Sequence, residues 1–316
     1  MMAYVVRRVL LAIPVLFGIT VINFIIINLS PGDPVDMYID PHTTETEIAL
    51  KKEQLGLNEP LWVQYFLWLG NMLKGDFGYS FSSYEPVTTI LLERIGPTLL
   101  LMGAAIAVAY LIAIPIGMIS AIRPYSKLDY SITGLSFLGI SIPNFFLGLT
   151  VIYLFSLHWQ LLPSGGMRTL GGDEGIGDLL QHLVLPALVL STGIAGQMVR
   201  YVRASMLEVL GQDYLRTAKA KGVKPFYVVV KHGFRNALIP VITVIGLDIS
   251  VLIGGSVITE KMFQWPGMGQ LTMQAILSRD YPVLMAINLW AAVVVLTVNL
   301  ITDILYSYAD PRIRYR

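Results

Sequence analysis

Asp213-Tyr214-Leu215-Arg216-Thr217-Ala218-Lys219-Ala220-Lys221-Gly222, resumed further on by Arg235-Asn236-Ala237-Leu238-Ile239-Pro240, is the stretch on which the fold turns. It belongs to a polar segment, 200–237, in which eight basic residues meet only Glu208 and Asp213. Gln212 to Lys221 lacks Gly and Pro and predicts a short helix. Gly222 and Pro225 break it, and Phe226 to Phe234 resumes helical character before the next apolar run. The small residues Ala218, Ala220 and Gly222 at the break would let another protein's backbone approach closely. By composition alone two readings stand: a lever that docks on a partner, or an amphipathic pair lying on anionic headgroups, which positive-inside bias produces by itself.

Outward from this segment the chain is apolar. Of its 316 residues 55% are hydrophobic and 14% charged, where a soluble domain carries about 25% charged residues. The polar surface of a soluble globule is missing, and the bilayer is the expected solvent. A hydrocarbon core about 30 Å thick needs about 20 apolar residues in a helix. Six stretches qualify, 9–29, 98–122, 131–157, 180–199, 238–258 and 283–306. The fourth is the shortest and contains Pro186 and Gly193, tolerated where neighbouring helices satisfy the backbone. Arg7 and Arg8 imitate the start of a secretory signal, but the run behind them is too long for a signal core. It ends in Ser30-Pro31-Gly32-Asp33-Pro34 rather than a small-residue cleavage site, so it reads as a retained span. The expected fold class is an all-α integral membrane protein of six transmembrane helices. Its segments are 1–29 (first helix), 30–97 (extracytoplasmic) and 98–316 (helices two to six, with the loop 200–237).

Basic residues orient the spans. With the N-terminus inside, 15 of the 22 Lys and Arg fall on the inner side: Arg7, Arg8, Arg123, Lys127, the eight of the polar loop, and Arg312, Arg314 and Arg316. Both termini are then cytoplasmic. The outer segment 30–97 carries ten acidic residues against four basic ones. Within it, Thr44 with Glu47 is a capping-box pattern for a helix that Gly56 would close. Pro60 opens a second run in which Trp62, Tyr65, Phe66 and Trp68 cluster, too short to span but suited to the headgroup layer.

Several chemistries are excluded. A net charge of +1 gives no argument for a nucleic-acid partner, and none is expected; the absence of cysteine removes thiol nucleophiles and thiolate metal sites. His42, His158, His182 and His232 are scattered, so no metal site is expected. No phosphate-binding loop occurs, so this chain is expected to bind no cofactor; any nucleotide must be held by another chain. Gly175-Ile176-Gly177-Asp178 matches the G-x-G-D string of intramembrane aspartyl proteases, which need two carboxylates on adjacent spans. Asp178 precedes a span and the third span holds no acid, so the string reads as a glycine-rich turn opening a helix, and no catalytic residue is assigned.

Ionisable residues inside spans are costly and are functional candidates by default. Asp248 lies ten residues into the fifth span. A carboxylate lining a translocation path and a hydrogen-bonded packing group are both open readings for it. Asp303, near the inner end of the sixth span, reads as an interfacial partner of Arg312 or Arg314. Asn144 after Pro143, Asn288 and Asn299 read as interhelical hydrogen-bonding groups, with Asn144 also a candidate for the path. Gly103 with Ala107 is a small-residue face suited to close helix packing.

The two quoted strings resemble the Glu-Ala-Ala loop of ABC importer permeases, more narrowly its oligopeptide and dipeptide (peptide/nickel) branch. The resemblance runs nearly the whole chain: Pro31-Gly32-Asp33-Pro34 after the first span, Trp265-Pro266-Gly267-Met268-Gly269 after the fifth, Arg279-Asp280-Tyr281-Pro282 before the sixth, and Asp310-Pro311-Arg312 at the end. Arg216 and Thr217 stand where importers in general have Glu and Ala, as in the peptide branch. The resemblance implies a type I importer permease in a bacterial or archaeal cytoplasmic membrane. Its loop would dock into a cleft on a cytoplasmic ATPase through Arg216, Thr217, Ala218 and Gly222. A lever joined rigidly to two spans would move both when its tip rocks. The implied partners are membrane lipid, a similar second permease, two ATPase subunits carrying ATP and Mg, and an extracytoplasmic peptide-binding protein received by the acidic outer segment and the Trp265 turn. Nickel chelates or glutathione are alternative cargoes within the branch. An ion-coupled secondary transporter is the alternative from another class, and would need coupling-ion ligands and paired repeats.

Overall fold

The computed structural model describes residues 2–29, 44, 46, 58–172 and 175–309. The pairing of Thr44 with Glu47, the closure at Gly56, the 31–34 string and the 310–316 end with Arg312, Arg314 and Arg316 lie outside the described residues. Among the described residues there is no β-strand, only an isolated antiparallel bridge between Tyr79 and Pro86.

In chain order, α1 (Met2–Leu29) carries the first span, and α2 (Leu61–Leu73) opens behind Pro60. α3 (Val87–Ile122) holds the second span, with Pro97 and Pro115 inside it. α4 (Lys127–Ser141) is capped by Ser126, whose hydroxyl accepts from the Asp129 amide at 3.2 Å. α5 (Asn144–Val151) runs on into a π-helical stretch, Ile152–His158. α6 (Ile176–Leu210) and α7 (Asp213–Ala220) follow, then a turn at Pro225–Tyr227 and a second π-helical stretch, Val228–Phe234. α8 (Arg235–Met262), α9 (Met268–Ser278) and α10 (Tyr281–Ala309) complete the chain.

Three features differ from the sequence expectation. The third span is not one straight helix: α4 and the 144–158 helix meet at 97°. Pro143 offers no amide proton and pushes Ile142 into extended backbone, φ −77° and ψ 121°, which ends α4. Among the described residues four helices are long and apolar enough to cross a membrane, or five when this bent pair counts as one. α8 covers the fifth expected span. The fourth span, shortest on paper, belongs to a helix of 35 residues. Half of its apolar window is buried inside the protein, against 11% for α1. Its smaller and more polar residues face protein rather than lipid, and it continues to Leu210, so residues 200–210 are helix rather than loop. The small-residue face is also shifted, because Gly103 and Ala107 are exposed. The packed stripe on α3 is Ala105, Ala109 and Ala113, each fully buried, with Gly117 and Ala121.

The chain folds as two compact units, Met1–Gly96 with Leu271–Leu296, and Pro97–Gln270 with Thr297–Arg316. In the first, the α2 aromatics meet α1: Tyr65 lies edge-on to Phe17 and Phe24, and its hydroxyl is 2.9 Å from that of Thr20. Trp62 and Phe66 stay exposed. Asn288 donates to Asn23 at 3.1 Å, an interhelical bond of the expected kind, whereas Asn299 is exposed. In the second unit, Leu101, Ala105 and Ala109 cluster with Leu183, Ala187, Leu190, Leu252 and Trp265. Further along, Ala113 and Ala121 cluster with Met198, Val199, Val202, Met206 and Val241. Lipid tails are as apolar as leucine, so close approach of small residues, rather than escape from water, holds such helices together.

Candidate functional site

The polar loop is braced at its base. Leu215 of α7 and Val228 are buried. Asn236, at the start of α8, donates to the Tyr214 hydroxyl and to the His232 carbonyl, both at 2.9 Å, tying both halves of the loop to one helix. Ser205 of α6 donates to the Ala237 carbonyl at 3.1 Å. The loop is thus hydrogen-bonded to α8, and its Val229 and Phe234 pack against the cluster that holds Val202 and Met206 of α6. Its tip is open: Arg216, Thr217 and Gly222 are exposed and Ala218 is half-buried.

Arg216, Thr217 and Ala218 lie on α7, and Gly222 stands just past its end. Arg216 lies 3.5 Å from the Asp213 carboxylate, an exposed pair that contributes little to stability. The Thr217 hydroxyl donates back to the Asp213 carbonyl at 3.0 Å. Gly222 has a local reason for being glycine. Its φ is +79°, its amide donates to the Lys219 carbonyl at 3.0 Å, and the next amide, Val223, reaches the Ala218 carbonyl at 3.2 Å. This pair of bonds is the Schellman ending of a helix, whose left-handed residue is normally glycine.

Asp248 and Asn144 sit elsewhere. Asp248, on α8, is 5% exposed and accepts a 2.9 Å hydrogen bond from the Tyr110 hydroxyl of α3. The packing reading therefore has a named partner within the chain. Tyr110 escaped the sequence reading because one aromatic in an apolar run looks like core; its hydroxyl is the polar handle. Asn144, half-buried, opens α5 at the 97° bend. Asp303 is half-buried on α10.

The structure adds acids that the sequence reading passed over. Glu260, near the end of α8, has no exposed surface. It accepts from the Thr98 hydroxyl at 2.8 Å, from the Gly269 amide at 2.7 Å and from the Gln270 amide at 3.3 Å, so it caps the N-terminus of α9. Thr98 in turn accepts from the Met268 amide at 2.7 Å. A β-carbon at Gly267 would collide with the Glu260 carboxylate and the Thr98 hydroxyl. Trp265, also fully buried, donates from its indole to the Pro97 carbonyl at 2.9 Å. Its ring holds the turn from inside, while Gln264 beside it is exposed and Pro266 half-buried. The available signal was an acid five residues ahead of a Trp-Pro-Gly turn.

Asp129 is 2% exposed. It receives the fork of Arg203 through two 2.7 Å bonds, the Tyr125 amide at 2.8 Å and the Ser120 hydroxyl. Ser126-x-x-Asp129 is a capping pattern that could have flagged it. Asp280, 2% exposed, accepts from the Ser80 hydroxyl, the Phe81 amide at 3.1 Å and the Ser82 hydroxyl at 3.1 Å. Asp178 behaves as a tether. Gly175 is the N-cap of α6, and Asp178 accepts from the Thr169 amide at 2.9 Å and its hydroxyl at 2.6 Å. Among the described residues no group of three or more His, Asp or Glu is placed to hold a metal ion.

Residues 113–315 match the family model described as binding-protein-dependent transport system inner membrane component, and residues 1–102 match that of its N-terminal part. The chain is 49% identical over 316 residues, covering 100% of both sequences, to the oligopeptide transport system permease protein AppB of Bacillus subtilis. It is 39% identical, again over 100% of both, to the glutathione transport system permease protein GsiC of Escherichia coli K12. A solved structure of the MetNI methionine ABC transporter in an inward-facing conformation is similar in fold, with a TM-score of 0.58 at 18% identity over 70% of this chain and 96% of that one.

Proposed function

The chain belongs to the family of inner-membrane components of binding-protein-dependent transport systems, and from that membership we propose that it is the permease subunit of an ATP-driven importer for peptides. The observation that carries the substrate class is the end-to-end 49% identity to an oligopeptide permease. In this reading both termini are cytoplasmic, the exposed tip of α7 with Arg216, Thr217, Ala218 and Gly222 docks on an ATPase, and the braces at Asn236 and Ser205 deliver its displacement to α8 and α6. ATP and Mg belong to two partner ATPases. A second, similar permease completes the path, and an extracytoplasmic binding protein delivers the peptide. Asp248 and Asn144 are the candidates for groups along that path.

A glutathione cargo is the second reading, supported by the 39% identity to a glutathione permease. Reconstituting the complex in proteoliposomes with its own binding protein separates the two. ATP-dependent uptake of a labelled oligopeptide, unaffected by excess glutathione, is the expected result. Uptake of glutathione with no uptake of longer peptides would replace the main reading.

A further inference from the structure

The loop is braced to α6 and α8, but α6 carries one more attachment. Arg203 stands seven residues before the end of α6 at Leu210, about 10 Å up the helix at 1.5 Å per residue. Its guanidinium makes the two-pronged bond to Asp129. Asp129 also accepts from Ser120, near the end of α3, and from the amide of Tyr125 in the turn before α4. One carboxylate thus joins α3, the 123–126 turn, α4 and α6. Tyr125 has a φ of +61°, a left-handed conformation unfavourable for a residue with a side chain. The bond from its amide to Asp129 helps to hold it there.

The chemistry suits transmission of force better than simple adhesion. A planar guanidinium fork fixes direction as well as distance, so the α3–α4 turn cannot swivel against α6 without breaking a bond. For stability alone such a pair is a poor choice, since well-packed apolar residues of similar volume often do as well. The pair is also placed where it matters: α6 leads straight into α7 through Gly211 and Gln212.

Building on the reading of α7 as the ATPase-docking tip, we propose that the Asp129–Arg203 clamp is a third anchor of the coupling loop. Asp129 and Arg203 are positioning residues that carry the loop's displacement to α3 and α4, as its braces carry it to α6 and α8. A loop held only to α6 and α8 would move those two helices past a stationary α3–α4 turn. A clamped loop moves the turn with it.

The test uses the full complex, with nitroxide labels at Lys127→Cys and Lys219→Cys in this naturally cysteine-free chain. Both side chains are exposed. The distance between them is measured without nucleotide and after trapping with ATP and vanadate. The native clamp should keep that distance the same in both states, and Asp129→Asn should let it change. A native distance that changes as much as the variant's overturns the proposal. This arm needs no substrate, so it stands or falls apart from the peptide assignment. The second arm is uptake per ATP hydrolysed in proteoliposomes. Arg203→Lys keeps the charge but loses the fork, and should lower that ratio roughly two- to thirtyfold, the range of energetic coupling between sites, while hydrolysis continues. A clamp that only stabilised the fold would lower uptake and hydrolysis together. An unchanged ratio in Arg203→Lys would therefore sink the proposal even if Asp129→Asn failed to fold.

Discussion

A carboxylate away from water is tolerated only when its oxygens are hydrogen-bonded, and Glu260 meets that condition through Thr98, Gly269 and Gln270. Thr98→Val should remove one donor to Glu260 and the acceptor of the Met268 amide, at a cost of about 1–3 kcal/mol. A lowered melting temperature of the purified complex would register it. Gly267→Ala should be worse, since its methyl group has no room. At Gly222 the constraint is backbone angle rather than space, because nothing lies within 4 Å of where a β-carbon would sit. Gly222→Asn, which tolerates the left-handed region, should retain uptake better than Gly222→Val. Equal uptake by the two variants would show that φ is not what matters there. Gly222 was legible in the sequence because a glycine closing a basic helix is local punctuation. The Asp129–Arg203 bond was not: the Ser126-x-x-Asp129 pattern marks only a local cap, and Arg203 is 74 residues away, a range that no local pattern records.

At the scale of the helix, the length of the apolar runs marked candidate spans but not their packed faces. In lipid every face of a spanning helix can be apolar, so the pattern that distinguishes core from surface in a soluble helix is lost. Hence Gly103 and Ala107 looked like the packing face, whereas the buried stripe lies at Ala105, Ala109 and Ala113. The difference predicts an asymmetry. Ala109→Leu should overpack the interior and cost about 1–3 kcal/mol, seen as a loss of folded, detergent-soluble protein, while Ala107→Leu should leave the folded yield of the chain near normal. The bend at Pro143 follows from one residue in the middle of the 131–157 run. Proline was visible there, but whether a neighbouring helix repairs the break or the chain turns away is decided by packing that the sequence does not display. The length of α6 was obscured for a related reason. A helix buried by its neighbours does not need lipid-facing leucines, so its hydropathy understates its extent.

At the scale of the whole molecule, orientation rests on where the cations lie. A cysteine at Lys74, exposed just after α2, should react with an impermeant maleimide applied to intact cells, and one at Lys224, exposed in the polar loop, should react only after the membrane is opened. The reverse pattern would invert every assignment of inside and outside. The axial register of α3 is set by its small-residue stripe. Alanines recur there every four residues, so sliding α3 by four residues, about 6 Å at 1.5 Å per residue, would bring each alanine into the seat of the next. Packing by methyl groups alone could scarcely tell the two positions apart. Gly117 removes the ambiguity: a β-carbon at that seat would lie 2.8 Å from the Val202 β-carbon and 2.9 Å from the Val199 carbonyl oxygen, so neither Ala113 nor Ala121 can take it. One absent methyl group works like the odd tooth of a keyed shaft. It allows α3 and α6 a single axial register.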